Sequence, residues 1–370
     1  MLKTPPKTIL VTGATGFIGA HLVQELTARG DRVRALSRTG GPHAENAAAG
    51  PAVEYLAGDV TDIDSLHRAV TGCDQVFHLA GYAKNWARDA GTFRRHNVGG
   101  LQNVLDAARA ADVERVVWTS TVMTFGPTPP GVVCDETYDR SDTPCHTEYE
   151  KSKIAGERIA ARYAREGLPV VTVNPTRVFG PGRLSEGNAL SKIIDDYSRG
   201  RSRALLNAGR NVGNYVLVDD VVQGHLLAMD RGRSGERYIL GGENLSLKQF
   251  HQLIDEVSGQ SHWQLTVRWP GALGFAYLQV GCAKLFGRHP TISPNWVRTF
   301  MLDWAYSSKK AEDELGYRPT PVKEAVRMTY EWLRERSART APATRRQPVL
   351  GKALISQPFG SQPRNDERSH

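Results

Sequence analysis

Tyr149 and Lys153 stand four residues apart, a spacing that on a helix puts a phenol and an ammonium on one face. A nearby cation favours the phenolate, so Lys153 is expected to lower the Tyr149 pKa from its ordinary value of about 10 and fit it to move a proton near neutrality. Thr121 closes the run Trp118-Thr119-Ser120-Thr121 at the carboxyl end of an apolar strand, where open α/β sheets bind their ligands. A lone Tyr/Lys pair also occurs as plain surface neighbours, but two further features accompany this one. Thr12-Gly13-Ala14-Thr15-Gly16-Phe17-Ile18-Gly19 lies between a strand and a helix. Glycines there allow a tight bend, and the helix start offers unpaired N–H groups to a pyrophosphate. At the end of the second strand, Ser37-Arg38-Thr39 stands where an NAD-selective protein would place Asp or Glu. Arg38 suits the 2′-phosphate of NADP; a solvated surface arginine is the alternative.

Elements that would position these groups follow from periodicity. Apolar strand-like runs recur at Thr8 to Val11, Val33 to Ser37, Val53 to Leu56, Gln75 to Leu79, Arg115 to Thr119 and Pro169 to Val173. Helical spacing fills Phe17 to Arg29, stopped by Gly30, then Phe93 to Ala111 and Glu148 to Arg165. This alternation predicts an α/β fold, a doubly wound parallel Rossmann sheet, with a smaller, interleaved C-terminal substrate domain. The dinucleotide-binding domain is expected over 1–175 with 213–235 returning to it, and the substrate domain over 176–212 and 236–336. Further on, Asn214 to Val218 reads as a strand, Asp220 to Met229 as a helix, Ser246 as a helix start and Val322 to Arg336 as a closing helix.

The 370 residues carry a formal charge of +8, which suggests nucleic acid until it is located. Residues 337–370 hold six cations, Arg339, Arg345, Arg346, Lys352, Arg364 and Arg368, against Asp366 and Glu367. Half the surplus therefore sits on a Pro-, Ser- and Gln-rich tail that reads as disordered, and no nucleic-acid partner is expected. Cys73, Cys134, Cys145 and Cys282 form no CxxC pair and have no His at ligand spacing, so neither a disulfide framework nor a metal site is expected. The N-terminus shows no apolar core flanked by a cleavage site, so no signal peptide and a cytoplasmic location are expected. Pro270 to Phe286, interrupted by Gln279 and Lys284, falls short of the roughly 20 apolar residues a bilayer needs. A packed helix is expected there, with peripheral membrane contact as the lesser reading and no integral membrane segment.

From about Thr8 to Arg336 the chain resembles the extended short-chain dehydrogenase/reductases. Thr12 to Gly19 matches that family's TGxxGxxG, Gly58-Asp59-Val60 the stretch whose Asp contacts adenine, and His78-Leu79-Ala80-Gly81 the end of the fourth strand. Asn97-Val98-Gly99-Gly100 resembles NVxGT, Thr121 aligns with the catalytic Ser/Thr, Tyr149 to Lys153 is the YxxxK pair, and Pro175 to Pro181 resembles the PxxxxGP segment bordering nicotinamide. The resemblance implies catalysis by Thr121, Tyr149 and Lys153. It implies a cofactor held by Gly13, Thr15, Gly16, Phe17, Ile18, Gly19, Arg38, Asp59, Val60, Leu79, Ala80, Asn97, Tyr149, Lys153 and Pro175. It also implies a homodimer through the two long helices. Two positions depart from the nucleotide-sugar members: Arg177 stands where they carry Asn, and Gly213 where they carry the Arg before FVYVDD. Arg38 and Gly213 to Asp220 look more like dihydroflavonol-4-reductase-like and 3β-hydroxysteroid-dehydrogenase-like members. Tyr238 to Ser246, YILGGENLS, is shared with hopanoid-associated sugar-epimerase-like ones.

The expected activity is hydride transfer between NADP(H), with NAD(H) as the alternative, and a carbonyl/hydroxyl carbon of a small apolar or alicyclic molecule. Thr121 would orient the carbonyl, Tyr149 move the proton, and Lys153 position ribose. Tyr82, Lys84, Asn85 and Trp86, after the fourth strand, and Arg177 are the substrate candidates. Trp263, Trp269 and Trp296 of the second domain are further pocket candidates, and most of these aromatics are expected in core or lid packing rather than as substrate platforms. Two alternatives stay open: a nucleotide-sugar epimerase or dehydratase with retained NAD, and an NADP-binding sensor without chemistry.

Overall fold

Runs such as Ile9-Leu10-Val11, Val116-Val117-Trp118 and Val170-Val171 are apolar at every position, the pattern of strands covered on both faces. In the computed structural model, which describes residues 5–41, 52–84, 86–140, 143–286 and 292–340, these runs form strands. In chain order they are β1 (Thr8–Thr12), β2 (Arg32–Ser37), β3 (Val53–Ala57), β4 (Gln75–His78), β5 (Arg115–Thr119) and β6 (Val170–Pro175). There follow β7 (Arg177–Phe179), β8 (Ala204–Leu206), β9 (Val212–Leu217), β10 (Arg237–Leu240), β11 (Glu243–Ser246) and β12 (Leu265–Val267). Seven of them make one sheet in the order β10-β6-β5-β4-β1-β2-β3, every neighbouring pair parallel. Chain order runs outward both ways from the β1/β4 pair, so a crevice opens at the carboxyl ends of those two strands.

The helices are α1 (Phe17–Arg29), α2 (Ile63–Val70), α3 (Gly91–Arg94), α4 (Gly100–Ala110), α5 (Glu148–Arg165) and α6 (Ala189–Ser198). They continue with α7 (Val218–Arg231), α8 (Leu247–Ser258), α9 (Trp269–Phe286), α10 (Pro294–Phe300), α11 (Lys309–Leu315) and α12 (Val322–Thr340). Leu22 and Leu26 of α1 and Val221 and Leu226 of α7 cover one sheet face against Val11, Phe77, Val117 and Val173. Leu66, Leu101, Leu105 and Ala160 of α2, α4 and α5 cover the other against Leu10, Val76 and Trp118. Each such fully buried side chain is worth about 1.5–3 kcal/mol, which is why both sheet faces demand a helix layer. A separate core of Phe179, Tyr215, Phe250, Ile254 and Val326 joins the three-stranded sheet β11-β9-β7 to α6, α8 and α12.

The chain divides into two units, Met1–Leu333 and Arg334–His370. The sheets and cores above belong to the first, and the described residues of the second end at 340 within α12. The closing helix thus runs past Arg336 to Thr340, while the rest of the basic tail lies outside the described residues, as does Asn85.

The arrangement of strands and helices departs from the sequence expectations in its details. β10, expected on the substrate side of a boundary at 236, is the edge strand of the large sheet, because Tyr238, Ile239 and Leu240 are fully buried and register with β6. Within the segment 213–235, expected to return to the dinucleotide-binding domain, α7 packs on the large sheet while β9 pairs with β7 and β11. The helix expected from Phe93 is interrupted by a π-helical turn at Arg95–Gly99, a widening common at functional sites, and the turn carries the buried Asn97. Among the described residues no helix is long and apolar enough to cross a membrane.

Candidate active site

Gly13 leaves β1 at φ 73°, and a Cβ there would lie 2.7 Å from the Ala80 backbone nitrogen. Only glycine lets the β1 turn close against the end of β4. Gly19 is equally constrained, since its Cβ would fall 2.2 Å from the Gly13 carbonyl oxygen. Helix α1 then starts with Gly16 as a cap without a side chain and with no acid in its first turn. Its leading N–H groups therefore face the crevice free for an anion, the shape and charge a pyrophosphate requires. Arg38, just beyond β2, is exposed and makes no ion pair among the described residues. Burial pushes the nearby Asp59 carboxyl up, but the Thr61 N–H and hydroxyl, each 2.8 Å from its Oδ1, and the charges of His96 and Arg38 outweigh it and hold the pKa below its ordinary value.

The catalytic candidates meet across the ends of β5 and α5. Thr121 follows β5 and caps a short 3-10 turn, Val122–Thr124. The Thr121 hydroxyl lies near enough to the Tyr149 hydroxyl to favour its phenolate form. Lys153, one helical turn after Tyr149, is 5 % exposed, donates to the Thr119 carbonyl at 2.8 Å and lies 5.9 Å from the Tyr149 ring centre. The three predicted residues are thus together, but their electrostatics reverse the expectation. Burial pushes the Tyr149 phenol up to about 12, with only the nearby Thr121 hydroxyl opposing it. Burial likewise lowers Lys153 to about 8, against the pull of Glu157. Desolvation outweighs the attraction that sequence spacing suggested. Burial therefore favours the protonated form of Tyr149 in the neutral range.

Two carboxylates that sequence reasoning missed, the buried Glu150 and the partly buried Glu157, hold this arrangement. Glu157 accepts from the Ser120 and Thr124 hydroxyls and the Asn174 amide, each at 2.7 Å, and pairs with Arg237 at 3.1 Å. Asn174 also donates to the Thr121 carbonyl at 3.0 Å. Glu150, 1 % exposed, completes a capping box with Thr147 and pairs at 2.7 Å with Arg140, which also donates to the Met123 carbonyl. Arg140 therefore ties the Thr121 turn to the first turn of α5. Their signals were present: Thr147 and Glu150 have capping-box spacing, and Glu157 continues the face of Tyr149 and Lys153 by another four residues.

Asn97 spends its side chain on the Tyr82 backbone N–H, at 2.6 Å, and on Ser152, at 2.9 Å. It fixes the segment after β4 whose Gly81 lies beside Lys153. Leu79 and Ala80 are half-buried at the crevice, Val60 packs against Gly100, and Pro175 ends β6. Lys84 is exposed over the Tyr82 ring, and the Trp86 carbonyl accepts from the Tyr82 hydroxyl. Arg177 lies between the Tyr215 and Phe300 rings, 5.6 and 4.7 Å from their centres, and among the described residues has no carboxylate partner. A Cβ on Gly213 would meet its guanidinium at 2.4 Å. The two departures at 177 and 213 are therefore one feature: the guanidinium projects from β7 into space that a side chain on β9 would need.

Trp263 and Trp269 are 65 % and 54 % exposed and so are not packed in a core, while the half-buried Trp296 stacks on Phe300. A hollow of ≈ 640 Å³ lined by Lys7, Leu26, Asp31 and Met229 lies at the amino ends of the strands, opposite the chemistry.

The family described as NAD dependent epimerase/dehydratase matches residues 9–241. A Synechocystis sp. protein provisionally named dihydroflavonol 4-reductase is 34% identical over 326 residues, 87% of this chain and 93% of its own length. Sterol demethylase protein B of Methylococcus capsulatus is 34% identical over 331 residues, 89% and 99%. Among solved structures, DesIV, a dTDP-glucose 4,6-dehydratase from Streptomyces venezuelae with NAD bound, is similar with a TM-score of 0.72 and 26% identity, covering 90% of this chain and 98% of that one.

Proposed function

The chain belongs to the NAD dependent epimerase/dehydratase family and is an enzyme of oxidoreductase type, and from that premise we propose that it reduces a carbonyl on a small apolar or alicyclic molecule with NADPH. The observation that carries this reading is the placement of Tyr149 beside Thr121 and Lys153 at the carboxyl end of β5. When bound, the nicotinamide supplies the hydride. Thr121 then orients the carbonyl oxygen, and Tyr149 gives it the proton as the carbon becomes tetrahedral. Lys153 holds ribose and restores charge balance as the phenol loses its proton. The glycine loop, Thr15, Phe17 and Ile18 hold the pyrophosphate, Arg38 the 2′-phosphate, Asp59 and Val60 the adenine side, and Leu79, Ala80, Asn97 and Pro175 the nicotinamide side. Lys84, Trp86 and Arg177 border the substrate. We also propose the division into a dinucleotide half and a substrate half, a homodimer through α4 and α5, and a cytoplasmic location.

A second reading, sugar-nucleotide dehydration or epimerisation with retained NAD, is favoured by the likeness to the NAD-bound dehydratase. One experiment separates the two. Protein purified without added cofactor is denatured, any released nucleotide is identified by mass, and the apoprotein is titrated with NADPH and NADH. Loose or absent nucleotide with tighter NADPH binding, lost in Arg38→Ala, supports the reductase. Retained NAD(H) with no NADPH preference puts the second reading first.

A further inference from the structure

Helix α9 is apolar on nearly every side, a composition that elsewhere implies full burial, yet it is not buried. Among its described residues only Ala276 and Ala283, one heptad apart, are fully buried, while Trp269, Phe275, Tyr277, Leu278 and Leu285 are 53–80 % exposed. Trp263 and Leu265 beside them are exposed as well, so among the described residues seven of the ten exposed large hydrophobic residues fall between positions 263 and 285. This overturns the expectation of a packed helix. An apolar patch of that kind on a folded surface marks an interaction site.

Charge identifies the occupant. From Val257 to Leu302 the sequence contains no Asp or Glu, while Arg268 stands just before α9, Lys284 in its last turn, and Arg288 and Arg298 beyond. Arg298 donates to the Tyr277 hydroxyl at 2.8 Å, and Arg203 lies 5.0 Å over the exposed Trp263 ring. Among the described residues neither Arg203, Arg268 nor Arg298 has a carboxylate partner. Apolar and aromatic side chains rimmed by unpaired cations are complementary to a lipid interface with anionic headgroups. A second copy meeting this face with its own would bring like charges together.

We propose that α9, with the flanking Trp263 and Leu265, docks the protein on the surface of an anionic lipid bilayer, the helix lying in the interface rather than crossing it. The docked face continues toward the chemistry: α10 packs on α9, and its Phe300 covers Arg177. This docking does not depend on which reaction the site performs.

The test is co-sedimentation of the full chain with phosphatidylcholine vesicles, with and without phosphatidylglycerol, compared with Leu278→Glu/Leu285→Glu. Both positions are solvent-facing, so the variant is expected to keep its melting temperature and nucleotide binding. Wild type should sediment with the anionic vesicles, less so in high salt, and the variant should bind about tenfold or more weakly. Brominated lipid should quench wild-type tryptophan fluorescence, and less so in Trp269→Phe. Failure of wild type to bind overturns the proposal, and equal binding by the variant overturns it by assigning the lipid contact to another surface. A variant that splits a wild-type oligomer without changing vesicle binding overturns it in favour of a self-association face.

Discussion

At the scale of single residues, the site turns on where protons rest. With Tyr149 held up to about 12 by burial, its proton is present throughout the neutral range. Tyr149→Phe should therefore lower kcat by about 10²–10⁴-fold while NADPH affinity stays within about twofold, as read by steady-state kinetics and fluorescence titration. Retained turnover would remove Tyr149 from the reaction. Arg177 offers a second test. Gly213→Ala places a Cβ into its guanidinium, the movable end of a flexible side chain, so the cation should shift with little loss of stability. We expect KM for substrate to change several-fold with cofactor affinity unmoved; an unchanged KM would place Arg177 outside the substrate site. Sequence alone exposed Arg177 and Gly213 separately. That they are one exchange was not legible, because it depends on β7 lying beside β9, a pairing no local pattern encodes.

At the scale of elements, legibility followed local periodicity. Helices α1 and α5 appear with the bounds the spacing predicted, and the strands of the large sheet with shifts at their ends, because each carries its own capping or apolar signal. What periodicity cannot report is which neighbour an element finds. Hence the edge position of β10, the exposure of α9 and the raised Tyr149 pKa emerged only in three dimensions. Glu157 shows the consequence for stability. Its side chain is 10% exposed and receives three uncharged donors and Arg237. Because the three uncharged donors converge on Oε1 and Arg237 bonds Oε2, Glu157→Gln can keep the former only by turning its N–H onto the Arg237 guanidinium, which loses the ion pair and sets donor against donor. Urea denaturation should show a loss of about 2–4 kcal/mol, accompanied by a lower kcat as the Thr121 turn loosens. A variant as stable as wild type would mean the network is dispensable.

At the scale of the whole molecule, the proposed pairing through α4 and α5 predicts a dimer in light scattering that survives Leu278→Glu/Leu285→Glu; a monomeric mass would refute it. Acid stability depends on groups from distant parts of the fold. Burial lowers His78 to about 3, with Lys153 adding to the effect, and lowers His225 and His251 to about 4. His225 is kept neutral between the Thr119 hydroxyl, at 2.8 Å, and the Val221 carbonyl, at 2.7 Å. An unfolded chain protonates these imidazoles near pH 6.5, so between about 6.5 and 4 it binds more protons than the folded one. Stability from this source is complete above about pH 6.5 and is lost as pH falls toward the folded values. Each such histidine contributes a slope of about 1.4 kcal/mol per pH unit within that window. The urea midpoint should therefore drop steeply from pH 6.5 to 4.5, and His225→Asn should make that drop shallower by about one proton. An unchanged slope in the variant would show that His225 is already charged in the folded protein, and that its bonds to β5 and α7 are formed by the imidazolium.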